Sequence, residues 1–358
     1  MAVARGRQLL FAALYVVFLL VLVEGVSRIL FGVQRLSDRI SVQDDYGWRR
    51  TWVKRHKAAG EQIYFAFDTF DLTKGWRSRV NIRNMKVFNN KVLNTNSAGF
   101  RGSREFPLQK DSGKTRIMLV GDSFTFGETV SDDESFAGLL QRNFPNAEIL
   151  NLGVHGYGHD QMLIHLREQG FAYHPDIVIL GYIPNDQSRN LLNFRDYAKP
   201  RFELEGDSLH LTGSPVPAPE QMMRWDWARP RTIDFLSTIR HMVIGPAGRR
   251  ARGERISDAI LSEMSLEVEK AGAVPVFAYL PTLKELAGKG PLNDDERWFN
   301  DFCKRHAKVH CLSARPLFDQ RVAEGATFKQ KGHWDEAGNV VVAEAIGRFL
   351  VDSLHVQP

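Results

Sequence analysis

From Thr115 onward, short unbroken apolar runs alternate with segments of helical periodicity, and this alternation constrains the fold more than any other feature. The apolar runs lie at 117–120 and within AEILNLGVHGYG, PDIVILGYIPND, VPVFAYLP and KVHCL; predicted helices lie at about 132–143, 159–169, 254–271 and 293–307 and after Asp335. Strands that are apolar on both faces must be covered on both faces, as in parallel sheets with crossover helices. We therefore predict an α/β fold, a three-layer doubly wound sheet of mostly parallel strands.

The composition is that of a globular chain long enough for one large α/β core with appendages, or for two modest domains. Of the 358 residues, 25% are charged and 43% are hydrophobic, and the formal charge is +5. A charge this small does not call for a nucleic-acid partner, although it suits an anionic membrane surface. The sequence has no zinc-type Cys/His spacing, no Walker loop and no internal repeat, so neither a metal nor another cofactor is implied.

The N-terminus departs from globular composition. Residues 9–23 are uncharged and mostly apolar, and basic residues precede them. Fifteen residues are short for a span, but the helix is long enough when continued to Phe31, where Glu24 and Arg28 can pair on one face. A cleaved signal peptide shares these features, but no Ala-x-Ala-like site follows the core. We predict that residues 1–32 form an uncleaved, single-pass anchor in the cell membrane, with the body outside the cytoplasm.

Two further segments follow the predicted anchor. Residues 33–113, rich in aromatic and basic side chains, form a membrane-proximal extension whose aromatics are interpreted as packing residues. Residues 114–358 form the main domain, with an insertion at about 187–252 that contains a hairpin signal, FELEGDSLHLT. Cys303 and Cys311 either form a disulfide, if the body is exported, or remain two unpaired buried thiols.

The stretch RIMLVGDSFTFGE brings a buried strand directly against Gly-Asp-Ser. Ser131 and Glu134 form a predicted capping box that starts the following helix. Ser123 then lies on the loop at the carboxyl end of a strand, where open α/β sheets bind their ligands. One interpretation is a turn in which Asp122 and Ser123 satisfy backbone N–H groups. The other is a nucleophile, which requires a neighbouring base because a serine hydroxyl is otherwise weak.

Four predicted strand ends bear polar or glycine signals: Ser123, Gly153, Asn185 and His333. Successive strand ends of a doubly wound sheet converge on one edge, although they are far apart in sequence. Acyl transfer needs a nucleophile, a base and donors directed at the developing oxyanion. Ser123 and His333 can supply the first two. The backbone N–H groups of Ser123 and Gly153 and the side-chain amide of Asn185 can supply the donors.

In this order the four residues resemble the SGNH, or GDSL, hydrolase family over about residues 115–350. Gly121-Asp122-Ser123 is similar to its first block, and the resemblance implies that Ser123 is the nucleophile. It also implies that Gly153 and Asn185 are oxyanion-hole residues and that His333 is the general base. NSAGFRG, VEGVSR and HWDEAG look like membrane-anchored bacterial members. Ser123 does not lie in the Gly-x-Ser-x-Gly elbow of classical lipases.

The sequence departs from this family at one position. The triad acid of the family usually lies three residues before the histidine, where this chain has Gln330. A glutamine accepts a hydrogen bond from imidazole but cannot stabilise imidazolium as a carboxylate does. A serine–histidine dyad, a carbonyl partner, Asp335 or Asp319 could compensate, although Asp335 is also predicted to cap the last helix.

The resemblance implies a serine esterase that acts through an acyl-enzyme without a cofactor or metal. Its expected substrate bears an ester, such as an O-acetyl group on a cell-envelope or exported carbohydrate. One alternative is an O-acyltransferase that uses the same residues with a sugar hydroxyl as acceptor. The other is a catalytically weak, membrane-tethered carbohydrate-binding protein, which Gln330 favours. The sequence makes no prediction of oligomeric state.

Overall fold

The computed structural model describes residues 2–33, 35–37, 44–59, 66–286, 293–328 and 332–358. The chain divides into two compact units. The smaller comprises Met1–Ile63, Phe194–Ala198 and Pro217–Arg249, and the larger comprises Tyr64–Asn193, Lys199–Val216 and Arg250–Pro358. The predicted extension 33–113 and the predicted insertion 187–252 therefore each contribute residues to both units.

The larger unit contains a five-stranded parallel sheet. In chain order the strands are β1 (Asp68–Asp71), β2 (Gly75–Ser78), β3 (Met85–Val87), β4 (Lys91–Leu93), β5 (Thr115–Val120), β6 (Ala147–Asn151), β7 (Ile177–Tyr182), β8 (Arg201–Glu205), β9 (Ser208–Thr212), β10 (Val274–Tyr279) and β11 (His310–Ser313). The central sheet has the order β11-β10-β7-β5-β6, and β1–β2, β3–β4 and β8–β9 are antiparallel pairs. The parallel sheet and the β8–β9 hairpin confirm two predictions from the sequence.

The two units together contain the helices of the chain, and helices of the larger unit flank its sheet. In chain order the helices of the described residues include α1 (Ala2–Gly32), α2 (Asp45–Ala59), α3 (Ser123–Phe126), α4 (Phe136–Asn143), α5 (His159–His165), α6 (Asn185–Arg189), α7 (Pro219–Ala228), α8 (Arg231–Lys270), α9 (Leu283–Leu286), α10 (Asp294–Arg305), α11 (Arg315–Ala323) and α12 (Glu336–Leu354). Successive side chains of β5, from Ile117 to Val120, are all at most 1% exposed. Because alternate residues of a strand point to opposite faces, the sheet is buried on both faces, as predicted.

Helix α4 begins later than predicted. Its N-cap is Ser135, whose hydroxyl accepts the Gly138 N–H at 3.1 Å. The predicted capping box at Ser131 instead forms a turn, in which Glu134 accepts the Ser131 N–H at 2.7 Å. The hydrogen bond between Ser131 and Glu134 thus closes a turn that precedes the helix. The helix itself is capped by Ser135, which lies closer to its apolar residues.

Two helices extend or interrupt the predicted pattern. Helix α8 covers far more than the predicted 254–271 and is broken at Gly245, which has φ 66° and is followed by Pro246. A residue before proline is disfavoured in the helical region, which explains a break there. Helix α11 was not predicted, and it lies between β11 and His333. His333 is therefore not at a strand end, as the sequence had suggested, but on the segment that leads into α12.

The structure also bears on the predictions about the two cysteines, the aromatic residues of the extension and the N-terminal helix. Cys303 and Cys311 form a disulfide that joins α10 to β11 (S–S 2.11 Å), so of the two alternatives the bonded one holds. The aromatic Trp52 and Trp76 of the predicted extension are 3% and 0% exposed, as packing residues are. Within α1, the stretch Gly6–Gly32 is long and apolar enough to cross a membrane, a property that a signal sequence shares.

Candidate active site

The corner after β5 is fixed by residues of the corner itself. Asp122 caps α3, because its Oδ1 accepts the Phe124 N–H at 2.9 Å. Ser123 is the first residue of this helix and is 3% exposed. A Cβ on Gly121 would lie 2.0 Å from Thr125 Oγ1, so only glycine fits before the cap. The turn interpretation of Asp122 is thus correct, and the same cap holds Ser123 in one position.

His333 contacts Ser123 although the two residues are far apart in sequence. The His333 Nε2 atom lies 2.8 Å from the Ser123 Oγ atom. The imidazole packs against the Phe124 ring, with centroids 4.6 Å apart. Next to it, the buried Trp334 donates its Nε1–H to the Pro281 carbonyl at 2.9 Å. The segment before α12 is therefore anchored at Trp334 and holds the imidazole beside the hydroxyl.

The electrostatics of the pocket keep His333 neutral. Burial lowers the pKa of His333 below its usual 6.5, and the nearby charges of His155 and Arg189 act in the same direction. The carboxylates of Glu128 and Asp122 oppose this shift but do not cancel it. A neutral imidazole can accept a proton from a hydroxyl. Near neutral pH, His333 is therefore in the form that a general base requires.

Glu128 is a site residue that the sequence analysis missed. Its Oε2 lies 3.2 Å from His333 Nε2, and its Oε1 contacts His155 Nδ1. Gly127 ends α3 with φ 84° and turns the chain back. As a result, the Glu128 N–H donates to the Ser123 carbonyl at 2.9 Å. A carboxylate five residues after the serine in GDSFTFGE was the only signal in the sequence, and helical spacing alone would not direct it at the histidine.

A buried ion network supports the corner from behind. Arg189 Nη1 donates to Asp122 Oδ2 at 2.7 Å and to the Tyr157 carbonyl at 2.8 Å, and it also pairs with Asp186. Both carboxylates are fully buried. A buried carboxylate is costly unless its charge is paired. The ion pair with Arg189 therefore stabilises Asp122 in the position in which it caps α3. The sequence analysis did not identify Arg189.

Gly153 and Asn185 lie where predicted along the sheet edge, but their surroundings differ. They follow β6 and β7, the two neighbours of β5. The Gly153 N–H donates to Asn151 Oδ1 at 2.9 Å, so in this structure it already has a partner. A Cβ on Gly153 would lie 2.3 Å from the Phe126 nitrogen, which explains the glycine by close packing on α3. Asn185 begins α6 with an exposed side chain.

The residues considered as a third triad member differ in their location and contacts. Gln330 lies outside the described residues. Asp335 caps α12, accepting the Gly338 N–H at 3.1 Å, which confirms its predicted capping role. Asp319 lies on α11 with an exposed side chain. Among the described residues, Glu128 is the carboxylate that contacts His333.

No family model matches this sequence, and no curated protein does. Among solved structures, the chain is similar to a lipolytic protein of the G-D-S-L family from Desulfitobacterium hafniense DCB-2 (16% identity, 66% of this chain and 99% of that one, TM-score 0.38). It is also similar to a member of that family from Veillonella parvula DSM 2008 (11% identity, 68% and 100%, TM-score 0.41). A third similar structure is a two-domain esterase active on acetylated mannans (13% identity, TM-score 0.41). The match covers 69% of this chain and 52% of that one.

Two of these three proteins thus come from the family that the Gly-Asp-Ser motif resembles.

Proposed function

We propose that this protein is a serine esterase that acts through an acyl-enzyme on Ser123. The observation that supports it most is the 2.8 Å distance between Ser123 Oγ and His333 Nε2. A nucleophile within hydrogen-bond reach of a base is the arrangement that activates a hydroxyl. Because burial keeps the pKa of His333 low, the imidazole accepts the hydroxyl proton as Oγ attacks the ester carbonyl.

The oxyanion formed by this attack needs donors. The Ser123 N–H lies at the N-terminus of α3 and the Asn185 amide is exposed at the same sheet edge, so both are candidates. Gly153 can donate only if its N–H leaves Asn151.

The imidazolium formed by proton transfer must be stabilised until the alcohol leaves. Glu128 Oε2, 3.2 Å from His333 Nε2, supplies a negative charge for this purpose. It approaches the nitrogen that faces Ser123, so it differs from a triad acid, which holds the other ring nitrogen. We assign Glu128 the electrostatic part of that role. His155, in contact with the other carboxylate oxygen, holds Glu128 in place.

The imidazolium gives its proton to the departing alcohol, which leaves the acyl group on Ser123 and His333 neutral. Water then attacks the acyl-enzyme, His333 accepts the proton of the water, and this proton returns to Ser123 Oγ as the free acid leaves. By its resemblance to the SGNH hydrolases, the substrate is an O-acylated, for instance acetylated, carbohydrate of the cell envelope or an exported polysaccharide. The apolar helix α1 supports membrane attachment, and the Cys303–Cys311 disulfide supports a body outside the cytoplasm.

An active-site fluorophosphonate probe tests the proposal. It should label the wild-type protein and fail to label Ser123→Ala, and His333→Ala should hydrolyse p-nitrophenyl acetate at the background rate. Circular dichroism should be unchanged in both variants, since Ser123→Ala removes a single oxygen atom and neither side chain is part of a hydrophobic cluster of the described residues. Near-wild-type hydrolysis by either variant would refute the nucleophile–base pair. Adding a sugar acceptor distinguishes ester hydrolysis from O-acyl transfer, because only an acyltransferase forms acylated sugar.

A further inference from the structure

The first segment of α8, residues 231–244, is amphipathic in the opposite sense to a helix of a soluble protein. Its large apolar side chains are exposed: Ile233 (48%), Leu236 (58%), Ile239 (39%), Met242 (49%) and Val243 (79%). A surface helix of a soluble domain turns such a stripe inward. A contiguous exposed apolar stripe marks an interaction surface.

The opposite face of the same segment is polar and buried. Asp234 and Thr238, four residues apart and therefore on one face, are 1% and 3% exposed. Asp234 pairs with Arg229 at 3.0 Å and with Arg231 at 3.1 Å. The Thr238 hydroxyl donates to Asp44 Oδ2 at 3.3 Å. Polar groups directed inward and apolar groups directed outward are the arrangement of helices whose surroundings are lipid.

The start of this segment is attached to α1. Glu24 accepts the Arg231 and Thr232 N–H groups, each at 3.0 Å, and the Thr232 hydroxyl at 2.8 Å. Glu24 directly follows the uncharged run 9–23. If α1 crosses the bilayer, Glu24 lies at the end of the hydrocarbon layer, and so does the first turn of α8.

We propose that the segment 231–244 lies in the membrane interface, with the stripe of Leu236, Ile239 and Val243 in contact with lipid. This proposal rests on the proposed anchor but not on the esterase activity. Fourteen residues of helix reach about 21 Å, less than the roughly 30 Å of a hydrocarbon core, so the segment does not span. The exposed Trp225 of α7 adds an aromatic side chain of the kind enriched at this depth.

Quenching of single labels in the full-length protein, embedded in phosphatidylcholine–phosphatidylglycerol nanodiscs, tests the proposal. Both native cysteines are bonded, so an introduced cysteine is labelled selectively with bimane. The test positions are Leu236→Cys and Val243→Cys. Leu14→Cys in α1 is the lipid-exposed control, and Asp207→Cys in the β8–β9 turn is the aqueous control. Each label is exposed to doxyl-labelled lipid and, separately, to iodide.

We expect lipid-borne doxyl to quench the labels at 236 and 243 several-fold more than the label at 207, and iodide to show the reverse order. Iodide quenching at 236 and 243 equal to that at 207 would overturn the proposal. So would protection from both quenchers, which would mean that protein covers the stripe. If the protein labelled at position 14 did not remain with the nanodisc, the membrane anchor would be refuted, and this proposal with it. Fluorophosphonate labelling of the same samples reports separately on the esterase.

Discussion

Replacing Glu128 by glutamine tests whether this carboxylate stabilises the imidazolium of His333. The change keeps the size of the side chain and removes its charge beside His333 Nε2. A nearby negative charge favours the protonated imidazole, so its loss lowers the pKa of His333 further. The acid limb of the pH–rate profile, which reports the neutral base, should then move to lower pH. Turnover at neutral pH should fall, because the imidazolium formed during the reaction is less stable.

The distance sets the size of the effect. Two unit charges 3.2 Å apart interact by about 1.3 kcal/mol at a dielectric constant of about 80 and by about 5 kcal/mol at about 20. One pH unit corresponds to about 1.4 kcal/mol. The His333 and Glu128 side chains are only 21% and 10% exposed, which favours the larger value, whereas the contact of Glu128 with His155 offsets part of its charge, so the larger value is an upper bound. We expect a shift of at least about one pH unit and a loss of turnover of at least about tenfold.

The assay is initial-rate hydrolysis of p-nitrophenyl acetate across the acid limb, which for the wild type should lie below pH 6.5, because the pKa of His333 is lowered. Glu134→Gln is the matched control: it makes the same change beside Lys91 and Ser131 rather than beside the imidazole. An unmoved acid limb in Glu128→Gln, with or without a loss of turnover, would refute the electrostatic role. A loss of turnover alone would indicate that Glu128 only shapes the pocket.

Three other variants test the rest of the site. Asn185→Ala should lower turnover roughly 10²–10³-fold with a smaller change in KM; a change mainly in KM would instead place Asn185 in substrate binding. Gln330→Asp should raise turnover and move the acid limb to higher pH, the opposite of Glu128→Gln, if it adds a charge beside His333; a flat profile would mean that another acid already serves. Arg189→Met should destabilise the fold by about 3–5 kcal/mol in urea unfolding, because it leaves Asp122 buried and unpaired; an unchanged midpoint would show that the network is dispensable.

The parallel sheet was predictable because its signal is strong and local. Ile117–Val120 and the matching runs of β7 and β10 are apolar without interruption, and only a doubly covered sheet buries them. Helix starts were less predictable where two capping residues compete, as Ser131 and Ser135 do before α4. Helix α11 was missed because few apolar residues lie at helical spacing in it, although Pro316 in its first turn is a helix-start signal. As a consequence, His333 was expected at a strand end that it does not occupy.

The inverted segment of α8 shows a different limit of sequence analysis. A hydrophobic stripe at helical spacing predicts a helix but does not say which face is buried. Here the buried face also makes polar contacts with distant residues, such as that of Thr238 with Asp44, 194 residues away in sequence. Such partners are set by tertiary structure. The pattern of Ile233, Leu236 and Val243 fits a helix, although a helix was predicted only at about 254–271, and it leaves the surroundings of this segment open.

The site itself divides into a local part and a distant part. Between Gly121 and Glu128, one short segment supplies the cap, the serine and the carboxylate, and the hydrogen bonds to the Ser123 carbonyl fix their spacing. Arg189 and His155 then hold its two carboxylates, Asp122 and Glu128. His333, in contrast, arrives from 210 residues away and depends on Trp334 and on the cap of α12 at Asp335 to reach Ser123 Oγ. The nucleophile is thus positioned by secondary structure, whereas the base is positioned by tertiary packing. His333→Ala should therefore lower activity without lowering stability, whereas Trp334→Ala should lower both, because the Trp334 side chain is 1% exposed and packs in the core.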